Sequence, residues 1–152
     1  MRPLHLIALL GLVSVEKAEL AAQIANHVTD SGRRAVIFDG GARLRVDSEW
    51  VAAARLVRLD ADGLAQLLGL LTASDEDVAI LAAPETAATD AVFAALAALE
   101  RPGLTLTTAA LIDLRTCDCF PNLRAELEAS ADVTLAIPYA LPDALRALGV
   151  PG

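Results

Sequence analysis

Leu4-His5-Leu6-Ile7-Ala8-Leu9-Leu10-Gly11-Leu12-Val13-Ser14-Val15-Glu16-Lys17-Ala18 is the stretch whose reading decides the fold. Seven residues, apolar except for His5, run into a glycine. Beyond Lys17, Leu20, Ile24 and Val28 recur every four residues. A short apolar run closed by glycine and followed by one-sided helical spacing predicts a buried strand that turns into an amphipathic helix. Lys17 is the only lysine of the chain. It stands where the pattern G-x-x-x-x-G-K-[ST] puts the lysine that reaches nucleotide phosphates. Of that pattern Gly11 and Lys17 are present, whereas Glu16 replaces the second glycine and Ala18 replaces the hydroxyl.

These replacements have physical consequences. In an intact phosphate loop, backbone N–H groups at a helix N-terminus surround the phosphates and a Ser or Thr hydroxyl helps to hold magnesium. Ala18 offers no ligand to a metal. A carboxylate at position 16 would lie ~5 Å from a bound phosphate and repel it by about 3 kcal/mol at an effective dielectric near 20. Three states of the loop are therefore expected to compete. Lys17 could be a solvated first-turn lysine. Glu16 could cap the helix itself, filling the anion position with Lys17 as its countercharge. Or Gly11, Ser14 and Lys17 could retain a weak hold on GTP or ATP.

Outward from this stretch, apolar runs alternate with helical periodicity. Strands are expected at Leu4–Leu10, Ala35–Asp39, Leu56–Leu59, Val78–Ala82, Leu104–Ile112 and Val133–Ile137. Most are continuously apolar, as strands covered on both faces must be. Leu64, Leu67, Leu68 and Leu71 trace one helical stripe, and Val92, Phe93, Leu96 and Leu99 another. Ser31-Gly32 and Pro102-Gly103 end helices, and Pro121 opens one reaching Ser130. Residues 40–54 fit either a loop or an extra helix near Ser48–Ala54. Strand alternating with helix predicts an α/β protein, a three-layer α/β/α sandwich with a mainly parallel sheet of about six strands.

Length and charge narrow the function. With 152 residues the chain suits a single domain over 1–152. A net charge of −8 and a pI near 4.6 argue against a nucleic-acid partner, which would need clustered cations. The apolar opening is too short to span a bilayer, and the charged Glu16-Lys17-Ala18-Glu19 stands where a signal-peptide cleavage region would be small and neutral. No membrane partner and a cytoplasmic location are expected. Mean hydropathy of +0.51 leaves apolar helix surface to be covered, which favours a homo-oligomer or another protein partner.

The order of these pieces resembles the CobW-type metallochaperone GTPases and their relatives among the hydrogenase and urease accessory GTPases, within the P-loop fold. Met1–Asp39 is similar to their strand, phosphate loop, helix and second strand. Asp77-Val78-Ala79-Ile80-Leu81-Ala82-Ala83-Pro84 resembles their Walker B strand. Leu104–Asp113 with Phe120-Pro121-Asn122-Leu123 resembles the next strand and crossing, and Ala131–Ile137 the strand before the guanine-specificity motif. The resemblance implies the fold, a nucleotide site at Gly11, Ser14 and Lys17, and dimeric action. It departs at the functional positions. Ala82 and Glu85 replace the Walker B glutamate and glycine, Ile137-Pro138-Tyr139-Ala140 stands for Asn-Lys-x-Asp, and residues 40–77 lack the Cys-x-Cys-Cys metal motif.

Three further constellations carry chemistry. Cys117 and Cys119 could supply two thiolates to a metal, completed across a dimer axis, or a redox pair. A closed zinc site needs four ligands, so ordinary loop or helix-start cysteines are the simpler reading and a metal is not expected. Asp39, Asp60 and Asp113 at strand ends could line a ligand crevice with Lys17, or serve as caps and loop residues. His5 reads as a satisfied core residue, and His27 as a helix-surface one. The function expected from all of this is a degenerate P-loop domain with little or no nucleotide hydrolysis. It would be either a weak nucleotide binder or a nucleotide-free interaction or regulatory subunit, with metal delivery through Cys117 and Cys119 as a further alternative.

Overall fold

The computed structural model describes residues 3–11, 14–41, 45–60, 63–84, 89–113 and 121–151. Six strands, β1 (Leu4–Leu10), β2 (Ala35–Asp39), β3 (Arg55–Arg58), β4 (Val78–Ala82), β5 (Leu104–Asp113) and β6 (Val133–Ile137), form one sheet in the order β3-β2-β4-β1-β5-β6. Every pairing is parallel. Parallel neighbours need crossovers, and five helices are available for them: α1 (Ser14–Asp30), α2 (Gly63–Ala73), α3 (Thr89–Ala97), α4 (Pro121–Ser130) and α5 (Leu141–Ala147).

The continuous apolar runs have their cause in two cores, one on each face of the sheet. Ile7 and Leu9 of β1 point to one face, where Leu20, Ile24 and Val28 of α1, Ala144 and Leu145 of α5 and Leu148 just after it cover them. Leu4, Leu6, Ala8 and Leu10 point to the other, against Leu67 and Leu71 of α2, Val92 and Leu96 of α3 and Leu127 of α4. Each buried leucine removed from water contributes about 1.5–3 kcal/mol. The result is the expected three-layer α/β/α arrangement.

At the sheet edges the sequence is less apolar. β3 has two half-buried residues, Leu56 and Val57, between the exposed Arg55 and Arg58 at its ends, while β4 in the interior is buried throughout. Charged ends discourage a further strand from adding to an open edge. The expected Leu56–Leu59 lies one residue too late. Register with β2 pairs Val36 with Arg55 and Asp39 with Arg58, and Leu59 comes just after the paired run. The α2 stripe is also narrower than expected, since Leu67 and Leu71 are buried but Leu68 is exposed.

Part of the 40–54 stretch is neither a long loop nor a full helix. Ser48–Trp50 forms a single 3-10 turn, capped by Asp47, whose Oδ1 accepts from the Glu49 N–H at 2.9 Å. Asn26 of α1 holds this turn: its Nδ2 donates to the Trp50 carbonyl at 2.8 Å, and its Oδ1 accepts from the Ala52 N–H at 3.0 Å.

Candidate functional site

Because β1 lies between β4 and β5, its exit at Gly11 falls in the middle of the carboxyl edge of the sheet, where open α/β sheets take their ligands. Gly11 is required there on two counts. Its φ is +126°, and a Cβ at this position would come within 2.6 Å of the Leu111 carbonyl oxygen on β5. Gly40, leaving β2, is pressed in the same way against β4: its N–H donates to the Ala82 carbonyl at 2.9 Å, and a Cβ there would lie 2.9 Å from the same oxygen. Main chain is closely packed around the β1 exit.

Lys17, one turn into α1, folds back into this packing. Its Nζ donates to the Gly11 carbonyl at 2.6 Å and to the Ala83 carbonyl, just past β4, at 2.8 Å. The side chain is 1% exposed. A solvated first-turn lysine is therefore ruled out. The reason is that α1 lies against β2 and β4, so the inner side of its first turn is covered and a buried ammonium must find acceptors there. Two main-chain carbonyls supply acceptors for the ammonium. Glu16 is half-buried, and Ala18 is packed in the core at 2% exposure. Ser14 opens α1. The structure thus brings Gly11 and Lys17 together at the mouth of the loop, while Cys117 and Cys119 lie outside the described residues.

Of the carboxylates at the strand ends, Asp39 is the one whose contacts are fixed by the loop that follows its own strand. Asp39, 1% exposed, accepts from the N–H groups of Gly41 at 3.0 Å and Val46 at 2.8 Å and pairs with Arg58 at 2.8 Å. It organises the segment after β2. Asp60 is exposed and Asp113 half-buried at the end of β5. No group of three His, Cys, Asp or Glu suited to a metal occurs among the described residues. His5 is half-buried and its Nε2 lies 2.8 Å from Thr107 Oγ1. Burial, and then the charge of Arg33, push its pKa down, so it is neutral, as a core histidine should be. His27 donates from Nε2 to the Pro151 carbonyl at 2.7 Å.

Tyr139 follows β6 within Ile137-Pro138-Tyr139-Ala140, the segment that stands for Asn-Lys-x-Asp in the resemblance. Burial, then the charges of Glu19 and Glu16, push its pKa up. The phenol therefore lies within the field of two carboxylates on α1. Sequence reading missed this grouping, and also missed Ala83 as the acceptor for Lys17. A carbonyl belongs to every residue and leaves no signal in the sequence.

A magnesium nucleotide finds poor complementarity here. Position 18 carries no hydroxyl, position 16 carries a carboxylate, and the lysine that would meet the terminal phosphates is bonded to Gly11 and Ala83. The residues present do not fit that group.

The architecture and the strand-loop-helix at its centre define the P-loop GTPase-like α/β fold. No protein-family model and no curated protein matches the sequence. Solved structures do match. The signal recognition particle receptor FtsY from Elizabethkingia anophelis, in complex with GDP, is 18% identical with a TM-score of 0.59, over 90% of this chain and 48% of that one. FtsY from Mycoplasma mycoides is 15% identical with a TM-score of 0.60, over 97% of this chain and 58% of that one. The signal recognition particle 54 kDa protein from Aeropyrum pernix, also in complex with GDP, is 15% identical with a TM-score of 0.60, over 98% of this chain and 40% of that one. At these identities the likeness is one of fold, and the chain spans 48%, 58% and 40% of the length of these proteins. Among the described residues no helix is long and apolar enough to cross a membrane.

Proposed function

We propose that this chain is a P-loop GTPase-like domain whose phosphate loop has become a structural staple, and that it works as a nucleotide-independent protein-binding subunit. The observation that carries this reading is the Lys17 ammonium, buried and bonded to the carbonyls of Gly11 and Ala83. In that position it joins the exits of β1 and β4. Reaching a phosphate would require breaking two charge-assisted hydrogen bonds, each worth about 1.5–3 kcal/mol. Two of the structural neighbours hold GDP. Carried over to this chain, that ability is opposed by Glu16 and Ala18. The order of the sequence motifs further suggests descent from a CobW-type accessory GTPase, with the nucleotide chemistry lost.

Isothermal titration with GTP and ATP in magnesium tests the reading. We expect no binding with a Kd below ~1 mM, equivalent to about 4 kcal/mol. Tighter binding that disappears in Lys17→Ala would overturn it. Glu16→Gly removes the misplaced carboxylate and is expected to raise the affinity towards the measurable range. Adding Ala18→Thr supplies the hydroxyl, but places it in a filled core position, so part of the gain is offset by overpacking of about 1–3 kcal/mol.

A further inference from the structure

The single Trp and the single Tyr of the chain both come to rest beside the outward face of α1. Trp50, held on its 3-10 turn by Asn26, is 38% exposed, and Val15 at the start of the same helix is 46% exposed. Between the turn and the helix lies a cleft of about 280 Å³, lined by Glu19, Ala22, Gln23, Asn26 and Trp50. Its floor is the buried Ala22, and its polar groups are the Glu19 carboxylate and the Gln23 side chain. Tyr139 stands on the Glu19 side, close enough to feel that carboxylate and Glu16. An exposed indole next to a carboxylate, with an aliphatic floor, suits a planar cation. A guanidinium can stack on the indole while it hydrogen-bonds the carboxylate, which a compact ammonium does less well. The protein's net charge of −8 attracts such a partner from a distance. Tryptophan and tyrosine are also the residues on which protein interfaces most often depend.

We propose that this cleft is the docking site for an arginine-bearing segment of another protein, with the arginine seated between Trp50 and Glu19. The inference rests on the reading of the chain as a protein-binding subunit and gives that subunit its contact surface. Glu49, on the turn itself, is exposed and adds negative charge beside the cleft for flanking basic residues.

Because Trp50 is the only tryptophan, its fluorescence reports on the cleft alone. The probe is a 12-residue Gly-Ser peptide with two arginines, compared with the same peptide carrying two lysines or two glutamates. The arginine peptide should give a saturable change in Trp50 emission with a Kd below 1 mM. The lysine peptide should bind at least three-fold more weakly and the glutamate peptide should have no effect. Glu19→Gln, an exposed substitution whose folding is checked by circular dichroism, should weaken arginine-peptide binding at least five-fold. Arg34→Gln, which does not line the cleft, should leave it unchanged.

No saturable change, or equal binding by Glu19→Gln, would sink the proposal. So would a change in Trp50 emission on raising protein concentration without peptide, accompanied by dimer formation in sedimentation, because the cleft would then be filled by a second copy. The same samples are titrated with GTP. Nucleotide binding beside an intact peptide response would remove the staple reading and leave the cleft standing. Loss of the peptide response without nucleotide binding would remove the cleft alone.

Discussion

The two ends of the sheet satisfy their buried charges in different ways. At the carboxyl end, main-chain groups do most of the work: two carbonyls hold the Lys17 ammonium, and two amides hold the Asp39 carboxylate with help from Arg58. At the amino end, main-chain carbonyls of Ser74 and Pro102 accept from the buried Arg101 at 3.4 Å, but the cluster around Glu76 is held by side chains. Arg55 pairs with the buried Glu76 at 2.7 Å, and Ser74 donates its hydroxyl to the same carboxylate. A charge satisfied by backbone fixes the path of a loop, since its partners cannot leave without moving the chain. A charge satisfied by a side chain ties two elements together.

If that contrast is real, substitutions at the carboxyl end should cost the most. Gly11→Ala is expected to have the largest effect, about 4 kcal/mol, because it combines a φ that L-residues avoid with a contact of 2.6 Å to a strand carbonyl that cannot yield. Urea denaturation followed by circular dichroism measures it, and a loss under ~1 kcal/mol would mean that the exit of β1 is not pinned by β5. Lys17→Met comes next. Methionine keeps an apolar stem but leaves the carbonyls of Gly11 and Ala83 without their donor, at a cost of about 3 kcal/mol. The same titration reads it, and a neutral outcome would return Lys17 to the role of a ligand-seeking residue.

Legibility in the sequence followed the same division. Strands β1, β2, β4 and β6 stand at the expected residues because each is a short apolar run whose ends are marked by glycine, proline or charge, and β1, β2 and β4 are buried on both faces. β3 was displaced by one residue because this edge strand starts and ends on exposed arginines, and its apolar pattern of Leu56, Val57 and Leu59 does not state which neighbour sets the register. Gly11 and Lys17 were visible as a pair through their spacing. The fate of Lys17 was not, because its acceptors are backbone oxygens, one of them 66 residues away. Trp50 was equally opaque. Its placement depends on an amide from α1, and Asn26 has no feature in sequence that marks it as a tether.

At the amino end the smaller effect should carry a pH signature. Burial pushes the Glu76 carboxyl up, but hydrogen bonds from Arg55 and Ser74 outweigh it and hold the pKa at about 2, below the ordinary 4.5. A carboxylate whose folded pKa is depressed contributes stability in full above its unfolded value, and loses it as pH falls through the folded one. Stability from this cluster should therefore be complete above about pH 5 and decline between about 4.5 and 2. Glu76→Gln keeps the shape but removes the charge. At pH 7 it is expected to cost about 1 kcal/mol, a modest figure because the Arg55 side chain is 50% exposed and water can take over part of its solvation. Urea midpoints at pH 7, 4 and 2.5 should show the gap between the two proteins closing as the pH falls, since protonation of Glu76 makes the wild type resemble the variant. A gap of constant size across that range would mean that the buried carboxylate does not act through its charge, and the contrast between the two ends would fail at the point where side-chain pairing was held to matter.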